Sequence, residues 1–126
     1  MILSEITTEF NMEEIWRDVE GFEGYYQVSN LGRVKSLERT IYKVIPEKIL
    51  SVPLDAYGYP VVCLRAEDRK QRNFTVHRLV AKTFISNPNN YKCVNHLNEN
   101  KADNHINNLE WCTYKENNNH GTRNTR

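Results

Sequence analysis

At 126 residues, with 39% hydrophobic and 10% aromatic side chains, the chain has material for one modest core or two small ones, and too many aromatics for a disordered polypeptide. No apolar run approaches the roughly 18 residues of a membrane span, and acidic residues in MILSEITTEFNMEE stand where a secretory signal is basic, so a cytoplasmic protein without membrane contact is expected. The net charge of +1 hides an asymmetry: residues 1–24 hold one basic residue against seven acidic, whereas Arg33 to Lys82 carry eleven basic against five, the footprint of a surface that meets phosphates.

Residues 1–12 show no periodicity and read as a leader. From Ile15 the pattern becomes strand-like. Tyr26 and Val28 alternate with polar neighbours, Asn30-Leu31-Gly32 supplies residues that tolerate the positive φ of a tight turn, and Val34 and Leu37 continue beyond it, so a β-hairpin is expected. Further strands are read at Lys48–Leu50, Tyr57–Leu64 and Arg72–Val76, the last two joined by the charged turn AEDRK, with Pro60 at a strand start or edge.

At His77 the period lengthens from two to about 3.6 residues. HRLVAKTFISNP places Leu79, Val80 and Phe84 on one side and ends before Pro88, which predicts a helix of two to three turns packed on the preceding sheet. Tyr91–His96 then reads as a strand, Leu97–Asn108 as a polar excursion, Leu109–Cys112 as the returning strand and Thr113 to about His120 as a helix with Thr113 and Glu116 at capping-box spacing. Cys63, Cys93 and Cys112 form no CxxC pair and are expected as buried small hydrophobes.

The order strand, loop, strand, helix brings His96, at the end of the first strand, opposite the start of the last helix, where Asn117 and His120 share a face. A divalent ion held between strand and helix, with an imidazole beside it, is the arrangement phosphodiester hydrolysis requires. The bland alternative stays open on these grounds alone, because Asn-rich loops are commonly turns. For His77, packing near the sheet is preferred over a phosphate contact, since a cation is disfavoured at a helix N-terminus.

Residues 76–118, VHRLVAKTFISNPNNYKCVNHLNENKADNHINNLEWCTYKENN, resemble the HNH endonucleases of the phage homing type in VHRLVA, NH, the Asn-rich loop, NLEW and EN. Residues 14–37, EIWRDVEGFEGYYQVSNLGRVKSL, are similar to the short module that commonly precedes such nuclease domains. The resemblance implies an α+β fold, with a small N-terminal antiparallel β region followed by a ββα-metal (HNH) motif. The segments are then a leader (1–12), a β-rich DNA-binding module (13–72), the nuclease domain (73–120) and a frayed tail (121–126). It implies a phage protein acting in a bacterial host.

By the same resemblance His96 is the general base, Asn108 the central residue that ties the loop, and Asn95 and Asn117 the metal ligands, with His120 the alternative on the helix. The cofactor is a divalent metal, Mg²⁺ or else Mn²⁺, with no small-molecule cofactor. The partner is double-stranded DNA, met by Arg33, Lys35, Arg39, Lys43, Lys48, Arg65, Arg69, Lys70, Arg72 and Arg78. A single such site cuts one strand per docking event, so a monomer nicks and a double-strand break needs a dimer or two visits. A non-catalytic DNA-binding module on the same fold is the alternative.

Asn95 and Asn117 offer neutral carbonyl oxygens to a cation that prefers anionic ones. Titration calorimetry on the protein without DNA is therefore expected to show only weak Mg²⁺ binding, and tight binding would count against this ligand pair.

Overall fold

The computed structural model describes residues 13–65 and 70–113. Its N-terminal part is a four-stranded antiparallel sheet in the order β1 (Trp16–Asp18), β2 (Tyr26–Ser29), β3 (Val34–Ser36), β6 (Lys48–Ile49). A small hairpin of β4 (Arg39–Thr40) and β5 (Val44–Ile45) projects between β3 and β6. β7 (Val61–Arg65) pairs with β8 (Gln71–Thr75), which runs directly into helix α1 (Val76–Phe84). After a loop, β9 (Cys93–His96) and β10 (Leu109–Cys112) form an antiparallel hairpin, with a 3₁₀ turn at Ile106–Asn108 leading into β10. Among the described residues no helix is long and apolar enough to cross a membrane.

The turn between β2 and β3 shows how local chemistry sets the sheet. Gly32 has φ +90°, and its N–H donates to the Ser29 carbonyl at 3.0 Å, while the Ser29 hydroxyl accepts from the amides of Leu31 and Arg33. Asn30 reaches backward, accepting the Ile15 amide on Oδ1 at 2.8 Å and donating from Nδ2 to the Glu13 carbonyl at 3.0 Å. The chain entering β1 is thereby fastened to the turn.

One buried cluster serves both halves of the chain. Val19 and Phe22 from the β1–β2 connection and Tyr26, Val28 and Val34 from the N-terminal sheet meet Val62 and Leu64 from β7, Val76, Leu79, Val80 and Ala81 from α1, and Val94 and Leu109 from the last hairpin. Helix α1 is the layer in the middle, burying Val76, His77, Leu79, Val80 and Ala81. Trp111 of β10 ties the hairpin to the helix end by donating Nε1–H to the Ile85 carbonyl at 3.0 Å.

Several sequence expectations change. The strand expected at Tyr57–Leu64 begins only at Val61, because Asp55 Oδ1 accepts from the amides of Tyr57 and Tyr59 and Gly58 takes φ +87°, which folds 55–59 into a turn. Pro60, bridged to Leu54, precedes the strand as expected. The strand expected from Tyr91 starts at Cys93, since the Tyr91 amide is taken by Asn87 Oδ1. Cys63 is exposed, not buried: it lies on the outer face of β7, whose alternation buries Val62 and Leu64 instead. β1 and the β4–β5 hairpin were not expected. Beyond Thr113, the helix read at Thr113–His120 and its capping box lie outside the described residues, as does the turn AEDRK apart from Lys70.

Leu64 is fully buried and Cys63 next to it is not. Leu64→Ala should cost about 2–5 kcal/mol and Cys63→Ala within about 0.5 kcal/mol, as read from urea unfolding midpoints.

Candidate active site

The β9–β10 hairpin pairs Leu109 with His96, Glu110 with Asn95, Trp111 with Val94 and Cys112 with Cys93. Alternation therefore sends Val94 and His96 to one face and Asn95 to the other. The connecting loop is held by asparagine amides. Asn108 Oδ1 accepts the Asn98 amide at 3.0 Å, and Asn108 Nδ2 donates to Asn98 Oδ1 at 3.0 Å and to the Asp103 carbonyl at 2.8 Å. Asn98 and Asn100 also accept from amides two residues on, at 2.8 and 3.1 Å, so part of the asparagine crowd is turn chemistry. The Leu97 amide donates to the Asn108 carbonyl at 2.8 Å and closes the base of the loop.

His96 is 6% exposed and enters a cluster of rings. Its centroid lies 4.9 Å from that of His77 on α1 and 6.0 Å from that of Tyr59, while Tyr59 and His77 are 5.1 Å apart. Its Nε2 is 2.7 Å from Oδ1 of the buried Asn104. Burial holds His96 below the ordinary imidazole range, against the hydrogen bond that its Nε2–H donates to Asn104 Oδ1, which favours the protonated ring. For His77 burial is the main cause, with His96 and Arg78 adding to it and Asp55 opposing, and its pKa falls to about 4. Both imidazoles are neutral at pH 7, which is the form a base requires. His77 is packed, with Nδ1 buried and lacking a hydrogen-bond partner among the described residues.

Asn95 is buried on the opposite face, and its Nδ2 donates to Glu110 Oε1 at 3.3 Å. Of the two amide atoms, Oδ1 is the one with metal-donor chemistry. Among the described residues no three His, Cys, Asp or Glu side chains gather into a metal-holding group. A cation here would have to use amide oxygens with the adjacent Glu110 carboxylate, a set that suits a hard, oxygen-seeking ion such as Mg²⁺. Asn117 and His120 lie outside the described residues. Asp103, one of the carboxylates near the loop, is occupied by His105 at 2.9 Å and by Asn98 at 3.0 Å.

Comparison with known proteins bears on this geometry. Residues 14–65 match the NUMOD4 motif. An uncharacterized HNH endonuclease of Acanthamoeba polyphaga mimivirus is 42% identical over 124 residues, spanning 93% of this chain and 29% of that protein. The DNA endonuclease I-HmuI of Bacillus phage SP01 is 37% identical over 102 residues, 79% of this chain and 53% of that protein. A solved structure titled as DNA binding and cleavage by the HNH homing endonuclease I-HmuI superposes with a TM-score of 0.68 at 36% identity, covering 82% of this chain and 55% of that one. The chain is a homologue of the HNH homing endonucleases, with a NUMOD4 motif at its N-terminus. It spans between about a quarter and about half of the length of the curated relatives it matches.

The cations picked from sequence differ in setting. Arg33 forms a two-pronged ion pair with Glu14, and Lys35 lies 3.5 Å from Glu47 and over the Trp16 ring. Arg39 stands over Tyr25 and Tyr26, Arg72 over Phe22. Arg78 donates to the Lys92 carbonyl at 2.7 Å and stands over Trp111. Lys43 stands over Tyr42 on the β4–β5 hairpin, and Lys48, Arg65 and Lys70 are exposed. Arg69 lies outside the described residues.

Sequence reasoning missed Asn104, Glu110, Tyr59 and Lys101, whose Nζ donates to the Tyr57 carbonyl at 2.7 Å and stands over Tyr59. It also missed the exposed apolar tip of Ile41 and Tyr42, the latter 86% exposed. For Glu110 a signal existed: NLEW as a strand puts it opposite Asn95 once NH ends the partner strand. The other residues meet only through the tertiary fold.

The depressed His77 pKa carries a sign. An unfolded chain takes up a proton near 6.5 and the folded one only near 4, so stability from neutral His77 is full above pH 6.5 and is lost as pH falls through that window, by up to about 3 kcal/mol. His96 acts in the same direction. His77→Phe should flatten the decline of Tm between pH 6.5 and 4.5, where the ordinary carboxylates have yet to protonate.

Proposed function

We propose that the chain hydrolyses phosphodiester bonds in double-stranded DNA as an HNH endonuclease of the homing type, cutting one strand per docked monomer. The observation that carries this reading is the buried His96, fixed at the end of β9 above a loop that Asn108 closes with three hydrogen bonds. Such a group takes the proton from a water attacking phosphorus, and rigid support keeps it in line for attack. Asn108 preserves the distance between the strand that bears His96 and the returning strand. Asn95 is oriented by Glu110, and with Asn117 it would hold a divalent cation, Mg²⁺ or Mn²⁺. When bound, that ion stabilises the charge on phosphate and leaving oxygen.

Binding is assigned to the basic residues of the N-terminal two-thirds. Phosphate contacts by Lys48, Arg65 and Lys70 position the duplex without reading its sequence. The solved I-HmuI structure concerns both binding and cleavage of DNA, and the likeness covers most of this chain, which supports the same pair of activities here.

Plasmid nicking with Mg²⁺ compares wild type with His96→Ala. Loss of the base should lower the single-turnover rate by about 10²–10⁴-fold while DNA affinity is kept. Clean wild-type protein that binds DNA and leaves it intact would instead identify a binding module.

A further inference from the structure

The hydrogen bond behind His96 leads into the N-terminal module. An amide oxygen only accepts, so the 2.7 Å contact with Asn104 Oδ1 requires the proton of His96 on Nε2 and leaves the lone pair on Nδ1. Both side chains are buried, His96 at 6% and Asn104 at 4% exposure, which shields the bond from competing water. The backbone of Asn104 is fixed from two sides. Within the loop, Asn108 Nδ2 grips the preceding Asp103 carbonyl, and the Asn108 amide donates to the His105 carbonyl at 2.9 Å. From the module, the Asn30 carbonyl accepts the Ile106 amide at 3.0 Å, and Gly32 lies flat against Asn104 itself. A Cβ on Gly32 would stand 2.9 Å from Asn104 Cβ, 3.0 Å from its carbonyl oxygen and 3.1 Å from its carbonyl carbon. Two of those three atoms are backbone and cannot swing aside.

We propose that Asn104 is the positioning residue for His96, selecting its Nε2–H tautomer, and that the Asn30–Gly32 turn of the NUMOD4 segment holds Asn104 in place. The N-terminal module is then part of the catalytic geometry as well as a surface for DNA. This inference rests on the reading of His96 as the base.

The test uses the full chain, free of metal and DNA, and long-range ¹⁵N–¹H spectra of the His96 ring at pH 7.5, followed by single-turnover nicking with Mg²⁺. Wild type should show the Nε2–H tautomer, and an Nδ1–H spectrum overturns the proposal whatever the variants do. Asn104→Leu, similar in size and without an acceptor, should mix the tautomers and slow nicking by about 10²-fold at unchanged DNA affinity. Asn104→Asp keeps the acceptor and should restore the tautomer and most of the rate. Gly32→Ala should move both readouts in the direction of Asn104→Leu without touching His96. A folded Asn104→Leu with wild-type spectrum and rate, an Asn104→Asp no better than Asn104→Leu, or a Gly32→Ala identical to wild type overturns it. Undiminished nicking by His96→Ala would remove the base assignment alone, because the spectra still decide whether Asn104 sets the tautomer.

Discussion

Two strands of four residues do not hold together in water, so the β9–β10 hairpin depends on the wall it packs against. That wall is helix α1, whose buried face joins Val94 and Leu109 to the N-terminal sheet in one cluster. Trp111 bonds the hairpin to the end of the helix, and Asn30 bonds the loop to the first module. Position at the site therefore derives from parts of the chain about 70 residues away in sequence.

The site is polar where cores are usually apolar. His77, His96, Asn95, Asn104 and Asn108 are all buried, and a buried polar group is costly unless its hydrogen bonds are met. Around Asn108 they are met in full, with one acceptor and two donor contacts. At His77 one nitrogen has no partner among the described residues. Low dielectric and the neighbouring His96 keep that ring neutral, and the fold gives up stability at acid pH for it. The two faces of β9 differ, with the imidazole held among rings on one side and the amide of Asn95 beside a carboxylate on the other.

Local pattern explains the parts that could be read early. Period two marked β2, β3, β7 and β8, and the change to 3.6 at His77 found α1 within a residue of its start, because apolar spacing directly reports which face is buried. The failures also have causes. Tyr57–Tyr59 looked like strand by composition, but Asp55 captured its amides, and no propensity scale contains that competition. Cys63 was expected inside because cysteines usually are, whereas the register of β7 turned it outward. β1 (WRD) and the β4–β5 hairpin (RT and VI) are short and have no apolar–polar alternation of their own.

The sequence by itself determined the β2–β3 turn, the succession of β7, β8 and α1, the hairpin carrying NH and NLEW, and the resemblance that singled out Asn95, His96 and Asn108, since each of these depends on residues close together in the chain. Only the tertiary structure decided that Asn104 faces His96, that Gly32 presses on Asn104, and that His77 and Tyr59 enclose the imidazole. Those contacts join residues from separate elements, and packing of the shared core, which no local pattern encodes, is what brings them within bonding distance.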